Sequence, residues 1–198
     1  MITKEDFLKL SITNFTRFGS HNYTMDQLAA ELGISKKTIY QHFKNKQELV
    51  FASFQYLLER FKQELNDIEE REKDTPLRCI VSFYRMGMGK LQAFNPTFLH
   101  GLQKYYPETY TCYQVFKQNT IFGKVLPLLK SAQQQGILRK DVNPELFCKL
   151  HLFRMENVLF SGNFLNEYDR EMLLEHFITN NLRGLMTGNY IRKHGFSL

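Results

Sequence analysis

The chain has 198 residues, of which 43% are hydrophobic and 23% charged, and its formal net charge is +6 with a pI near 9.2. This composition excludes large-scale disorder and favours polyanionic partners. Three widely spaced cysteines, no secretory signal and no run of about 18 apolar residues predict a reduced, cytoplasmic protein without a membrane segment.

The first predicted helix covers Thr3 to Phe18 and ends at Gly19. Thr3 precedes an acid at the third helical position, which is a capping arrangement. Phe7 and Phe15 recur at helical spacing, so the helix should be amphipathic. We expect it to cover the apolar side of the two helices that follow.

The segment Thr24 to Lys46 predicts two short helices joined by a tight turn. Thr24 and Ser35 are good N-cap residues, and Gly33 tolerates the positive φ that such a turn needs. The apolar residues fall at helical spacings and can share a small core; they are Leu28, Leu32, Ile39 and Phe43, with Ile34 between the helices. This pattern is typical of a helix-turn-helix, whose second helix lies in the major groove of DNA.

A long helix is predicted from Lys46, with Asn45 as its N-cap and Glu48 completing a capping box. The acidic stretch 64–74 is interpreted as a solvated face or a connector, and it marks the expected boundary between the DNA-reading part and a second domain. Pro76 then starts a helix to about residue 92 that is apolar on most sides and should be deeply buried.

Further helices are predicted through the rest of the chain. Pro127 interrupts the segment 107–135 and predicts a kink, and Gly136 is a natural stop. Helices are expected over about 144–160 and 169–186, separated by a loop that follows Gly162. The tail 187–198 is expected to be irregular, and no strand pattern is evident, so the chain is predicted to be all-α.

The N-terminal pattern resembles the TetR family of bacterial transcriptional regulators. The residues that carry the resemblance are TMDQLA (24–29), LGIS (32–35), TIYQHF (38–43) and KQEL (46–49). The resemblance implies an all-α fold in two parts. Residues 1–48 would form a three-helix DNA-binding domain that contains the helix-turn-helix, with the helix from residue 46 linking onward, and residues 49–198 a larger helical ligand-binding and dimerisation domain.

The predicted DNA contacts combine phosphate and base recognition. Helix starts near Thr24 and Asn45 offer amide groups to phosphate, while Lys and Gln side chains can bond guanine and adenine edges. The resemblance supports Thr38, Tyr40, His42 and Lys46 in particular. Tyr40 could instead serve partly in packing, and Lys44 could be merely solvated. The full set is Thr24, Met25, Ser35, Lys36, Lys37, Thr38, Tyr40, Gln41, His42, Lys44 and Lys46.

A pocket for a small-molecule effector is expected among the middle helices. Its candidate lining residues are Tyr84, Met88, His100, Gln103, Tyr113 and Phe116, each of which could equally be ordinary core. Two DNA-reading helices are needed for specificity, so a homodimer on a palindromic operator is expected. The helices 144–160 and 169–186 are the candidate dimer interface, although core packing explains part of their apolar excess.

The expected function is a ligand-responsive, sequence-specific DNA-binding transcriptional regulator, with a repressor favoured over an activator. A helical small-molecule-binding or interaction protein without a DNA function is the alternative from another class. No catalytic site, metal site or bound cofactor is predicted. Cys148 and His151 share a helical face, but two residues without further ligands are a weak metal signal.

Overall fold

The computed structural model describes residues 2–160 and 164–195. Within this part of the chain the regular structure is helical, which confirms the all-α prediction. A single antiparallel bridge joins Leu138 to Met186. The helices are α1 (Lys4–Phe18), α2 (Met25–Leu32), α3 (Lys36–His42), α4 (Lys46–Arg71), α5 (Pro76–Ala93), α6 (Phe98–Tyr105), α7 (Pro107–Thr120), α8 (Leu126–Gln134), α9 (Pro144–Phe160), α10 (Phe164–Glu167), α11 (Arg170–Leu174), α12 (Asn180–Leu185) and α13 (Gly188–His194).

The chain divides into two compact units. Unit 1 comprises residues 1–63 and 93–115, and unit 2 comprises residues 64–92 and 116–198. The N-terminal helices therefore share their unit with α6 and the first turns of α7. The division into a DNA-binding domain 1–48 and a regulatory domain 49–198 stays a prediction.

Unit 1 is built around the residues that the sequence assigned to the helix-turn-helix core. Leu28 and Ile39 are completely buried, and α1 contributes Phe7 and Phe15 to the same interior. The ring of Phe7 meets Phe43 edge-on at 6.0 Å between centroids. Burying a side chain of this size stabilises a fold by roughly 1.5–3 kcal/mol, so these contacts dominate the stability of a small unit.

The core of unit 2 draws on the end of α4 and on α5, α8, α9, α11 and α12. Its α5 residues include Ile80, Val81, Phe83 and Tyr84, which confirms that this helix is buried on several sides. Later segments add Leu129 of α8, Cys148 of α9, Ile178 of the π-helical turn Glu175–Thr179, and Leu182 of α12. Burial raises the pKa of the Cys79 and Cys148 thiols to about 11, so both act as small apolar side chains rather than as thiolates.

Where the sequence predicts a kink at Pro127, the structure has a π-helical turn just before the proline. Residues Ile121–Val125 form this turn between α7 and α8. Proline lacks an amide hydrogen and crowds the carbonyl four residues earlier, at Gly123. A wider helical turn relieves that crowding while the chain continues as helix. Gly136 then ends α8 with φ of +72°, as its position suggested.

The acidic stretch 64–74 agrees with the solvated-face alternative, because α4 continues to Arg71 and the acidic side chains of the stretch are exposed or half-buried. Two local expectations from the sequence were wrong. The tail is not irregular, because Thr187 caps α13 by accepting a hydrogen bond from the Tyr190 amide. The segment after residue 162 is not entirely a loop, because 164–167 form α10. Residues 161–163 and 196–198 lie outside the described part.

The capping box at the start of α4 is displaced by one residue. The Asn45 side chain accepts from the Glu48 amide at 2.9 Å, as expected. The Glu48 carboxylate, however, accepts from the Lys44 amide at 2.6 Å rather than from Asn45. Over residues 2–160 and 164–195, no helix is both long and apolar enough to cross a membrane.

Candidate DNA-reading surface and effector site

The geometry of the helix-turn-helix follows from its caps and its glycine. Thr24 and Gln27 form a reciprocal capping box at the start of α2. Gly33 adopts φ of +65° and ψ of +32°, a left-handed conformation that costs a residue with a Cβ atom free energy. The Ser35 hydroxyl then accepts from the Thr38 amide at 3.2 Å and starts α3. These local contacts fix the direction in which α3 leaves the turn.

The outer face of α3 is open to solvent. Lys37, Gln41 and His42 are exposed, and Tyr40 retains 44% of its accessible surface. Ile39, on the opposite face, is completely buried. The helix thus presents cationic and amide side chains outward from a rigid support, as direct recognition of base edges requires.

Two of the predicted contact lysines already have intramolecular partners. The Lys36 ammonium lies 2.9 Å from the Asp26 carboxylate of α2, which raises the pKa of Lys36. The Lys46 ammonium donates to the His21 carbonyl at 2.8 Å, and partial burial lowers the pKa of Lys46. Lys46 therefore ties the start of α4 to the segment that leads into α2.

Other predicted contact residues have more limited access than the sequence suggested. The Met25 side chain is buried with 6% of its surface exposed, so only its backbone amide can reach a phosphate. His42 is exposed, but its ring packs against Phe7 at 5.0 Å between centroids. The hydroxyls of Thr24 and Ser35 are already occupied as caps. Lys44 is exposed.

Residues far along the chain complete unit 1. The Asn95 amide donates to the Thr16 carbonyl at 2.7 Å, and its side chain donates to the Arg17 carbonyl at 3.3 Å. Both carbonyls lie in the last turn of α1, where helical partners are lacking. The Tyr105 ring stacks on His21 at 4.0 Å. The sequence analysis missed the contribution of residues 93–115 to unit 1, because local sequence patterns do not indicate a contact between residues 78 positions apart.

The six predicted effector contacts fall in different units. Tyr84 and Met88 are buried in the core of unit 2, and Phe116 packs against this core as a half-buried side chain. Tyr113, in unit 1, is half-buried and packs near Tyr110 at 6.0 Å between ring centroids. His100 and Gln103 belong to unit 1 and are exposed. Of the six, Tyr84, Met88 and Phe116 therefore belong to one interior.

His151 also lies in this interior, although the sequence analysis did not assign it to a pocket. It is 4% exposed, and its ring lies 4.8 Å from that of Tyr84 and 5.0 Å from that of Phe177. Its Nε2 atom is buried without a hydrogen-bond partner in the described part of the chain. An unsatisfied buried polar atom is costly, and a ligand that supplied a partner would recover that cost.

Burial and, secondarily, the positive charge of Arg154 lower the pKa of His151 to about 3. In the unfolded chain His151 binds a proton near pH 6.5, whereas in the folded chain it stays neutral down to about pH 3. The contribution of neutral His151 to the free energy of unfolding is therefore complete above pH 6.5 and is lost as the pH falls toward the folded pKa. We expect a loss of roughly 1.4 kcal/mol per pH unit in that window. Urea unfolding at pH 7, 6 and 5 measures the slope.

The variant His151→Met should flatten this slope, because Met fills the space without titrating. His176→Gln is the matched control, since His176 is exposed in the same unit. Equal slopes in the protein and in His151→Met would contradict the assignment. No group of three or more His, Cys, Asp or Glu side chains converges on a metal-sized site within the described residues.

The family model described as "Bacterial regulatory proteins, tetR family" matches residues 8–52, the segment that holds the helix-turn-helix. The N-terminal segment is that of a TetR-family regulator. This match confirms the resemblance to the TetR family that was drawn from the same residues of the sequence. The protein is a helix-turn-helix transcriptional regulator and not an enzyme.

Relatives of this chain agree with that assignment. The uncharacterized HTH-type transcriptional regulator YvaF of Bacillus subtilis is 29% identical over 158 residues, which cover 80% of this chain and 77% of YvaF. Among solved structures, SmeT, the repressor of the Stenotrophomonas maltophilia efflux pump SmeDEF, superposes with a TM-score of 0.70 at 19% identity, covering 96% and 93% of the two chains. FadR of Bacillus subtilis, in complex with stearoyl-CoA, gives 0.70 at 16% identity, covering 92% and 100%. At these identities the two structures show the shared fold alone.

Proposed function

We propose that the protein is a homodimeric repressor that binds a palindromic operator and is released from it by a small-molecule effector. The observation that carries the DNA part is the exposed, capped face of α3, with Lys37, Tyr40 and Gln41 pointing away from a buried core. Thr38 and His42 border this face, and Lys44 follows it. The solved repressor SmeT, of the same fold, supports repression over activation.

Base and phosphate contacts are separated by two substitutions. Gln41→Ala should change base preference at one operator position by about 1–3 kcal/mol, because Gln reads an adenine edge. Lys46→Ala should weaken binding to all duplexes alike and lower the salt slope by about one, if Lys46 exchanges its His21 partner for phosphate. Fluorescence anisotropy with duplex libraries at several salt concentrations measures both effects.

Identical behaviour of these two variants would contradict the division of roles. Melting temperatures of both variants serve as the control for folding, since Lys46→Ala also removes the bond to the His21 carbonyl. If no duplex bound with an affinity that falls steeply with salt, the alternative of a helical binding protein without a DNA function would be favoured instead.

The dimer proposal rests on an apolar stripe along α9. Leu146, Leu150 and Phe153 are 52%, 57% and 67% exposed, respectively, and their spacing of four and three residues places them on one helical face. His151, on the opposite face, is buried in the core of its own chain. Exposed apolar stripes of this kind mark protein interfaces. Met172 of α11, 48% exposed, comes from the second helical segment that the sequence implicated.

The effector proposal rests on the aromatic interior of unit 2. Tyr84, His151 and Phe177 converge there, and the unpartnered Nε2 of His151 could bond an effector. The ligand carried by FadR supports small-molecule binding within this fold. We propose that occupancy reaches DNA through α4, which begins beside α3 and runs without a break to Arg71. A differential affinity of about 1–3 kcal/mol between two states would give roughly 5- to 150-fold regulation.

Genome-wide mapping of bound sites tests the regulatory proposal as a whole. We expect a small number of palindromic sites that overlap promoters, and higher transcription of the adjacent genes when the regulator is deleted. Lower transcription after deletion would show an activator and contradict repression.

A further inference from the structure

A basic groove on unit 2 has no role in the functions described so far. It is open, measures about 520 Å³, and lies between the end of α4, the outer face of α5 and Arg170 at the start of α11. Five of its lining residues are cationic and one is acidic; the cations are Arg71, Arg78, Arg85, Lys90 and Arg170. This volume falls within the range of about 300–1,000 Å³ that small-molecule sites occupy.

The cations on α5 follow one face of the helix. Arg78, Ser82 and Arg85 are separated by four and three residues, so they lie one above another along the groove. Arg78 is exposed and makes no ion pair or hydrogen bond with any side chain in the described part of the chain. A guanidinium that lines a groove and lacks an internal partner is available to a ligand.

Three acidic side chains hold cations of the groove or its lining through ion pairs and hydrogen bonds. Glu72 accepts from the Ser82 hydroxyl at 2.8 and 3.0 Å and lies 3.5 Å from Arg71. Glu171 lies 3.3 Å from Arg85 and 3.8 Å from Arg170. Glu64 pairs with Lys90 at 2.7 Å. These pairs hold the cationic side chains in place, while the charge of the lining stays positive overall.

Gly89 provides the space in which one of these cations lies. A Cβ atom at this position would come within 2.8 Å of the Arg170 Nη1 atom and 3.5 Å of its Cδ atom. The Arg170 side chain therefore lies directly over the backbone of α5. Glycine in a helix interior costs roughly 1 kcal/mol relative to Ala. The close approach of Arg170 explains why glycine occupies position 89 in spite of this cost.

We propose that the groove binds a small molecule that carries a diphosphate group. Guanidinium groups match phosphate oxygens with two parallel hydrogen bonds, and Arg78 and Arg85 line the same groove on flexible side chains that can converge on one diphosphate. Ile68 and Met86 supply an apolar part of the lining for the remainder of the molecule. This site is distinct from the aromatic interior around His151, and it does not depend on the DNA-binding proposal.

Isothermal titration of the full chain with inorganic pyrophosphate tests this site, with sulfate at equal ionic strength as the control for general charge effects. We expect saturable binding of one pyrophosphate per chain. The double variant Arg78→Gln, Arg85→Gln should weaken it by about tenfold or more, because two charge-assisted contacts are lost. The matched control is Lys130→Gln, Arg139→Gln, which removes the same charge from exposed positions of unit 2 outside the groove.

Three results would overturn the proposal. One is no saturable pyrophosphate binding at millimolar concentration, or binding that sulfate reproduces. Another is an equal loss of affinity in both double variants, which would show a general charge effect. The third is a loss of operator affinity in the groove variant without pyrophosphate present, which would make the groove a DNA-contacting surface. Circular dichroism and melting temperature establish that each variant is folded.

Discussion

Replacing Phe43 by Ala is expected to destabilise unit 1 by about 3–5 kcal/mol and to abolish operator binding, while unit 2 stays folded. The side chain is 1% exposed and follows α3 directly, with its amide bonded to the Ile39 carbonyl at 3.1 Å. Its ring also meets Phe7 edge-on and lies 5.6 Å beneath the Lys4 ammonium. Removing it leaves a cavity where α3 is held against α1.

Hydrogen exchange resolved by peptide separates the two units in this experiment. Amides of residues 1–63 should lose protection in Phe43→Ala, whereas those of α8 and α9 should not. Phe18→Ala is the matched control, because Phe18 is 45% exposed and surface changes usually alter stability by less than about 0.5 kcal/mol. Full operator affinity in Phe43→Ala would mean that α3 is held by contacts other than those seen here.

The double variant Leu150→Glu, Phe153→Glu is expected to convert a dimer into monomers and to reduce operator affinity by about 100-fold or more. A twofold interface repeats every residue, so the double variant would bury two carboxylates from each copy, and each of them would lose its hydration. Loss of the dimer removes the gain that linking two DNA-binding sites provides, which is commonly about 10²–10⁴.

Sedimentation velocity and anisotropy with a full operator and a half-site measure the two parts of this prediction. Affinity for the half-site should be unchanged, because α3 is untouched. Val115→Glu is the control, as Val115 is 51% exposed and lies on α7, away from the stripe in sequence and element. A variant that remained dimeric would place the interface elsewhere.

Features set by neighbouring residues were predictable from the sequence. Thr24, Ser35 and Gly33 act within three or four residues of themselves, so caps and turn follow from residue type. The interior of α5 followed likewise from apolar residues on most of its faces. These are the features that fix the shape of the helix-turn-helix.

Features set by distant residues were not predictable in the same way. The apolar residues Tyr190 and Ile191 pack against the core of unit 2 and so support α13, although the tail alone has little periodicity. The side chain of Lys36 pairs with Asp26, and His42 packs on Phe7, because the turn brings α2, α3 and α1 together. Residue types at α3 indicate DNA contact, but only the fold shows which side chains already have partners.

The hydrogen bonds from Asn95 to the end of α1 determine when, during synthesis of the chain, unit 1 can finish folding. The helix-turn-helix lies at the start of the chain, yet unit 1 includes residues 93–115. While only the first 63 residues have left the ribosome, the carbonyls of Thr16 and Arg17 lack their Asn95 partner and His21 lacks the Tyr105 ring. The segment that reads DNA therefore completes its folding only after α6 and the start of α7 have been translated, and a nascent chain that stalls before them carries a less stable DNA-binding surface.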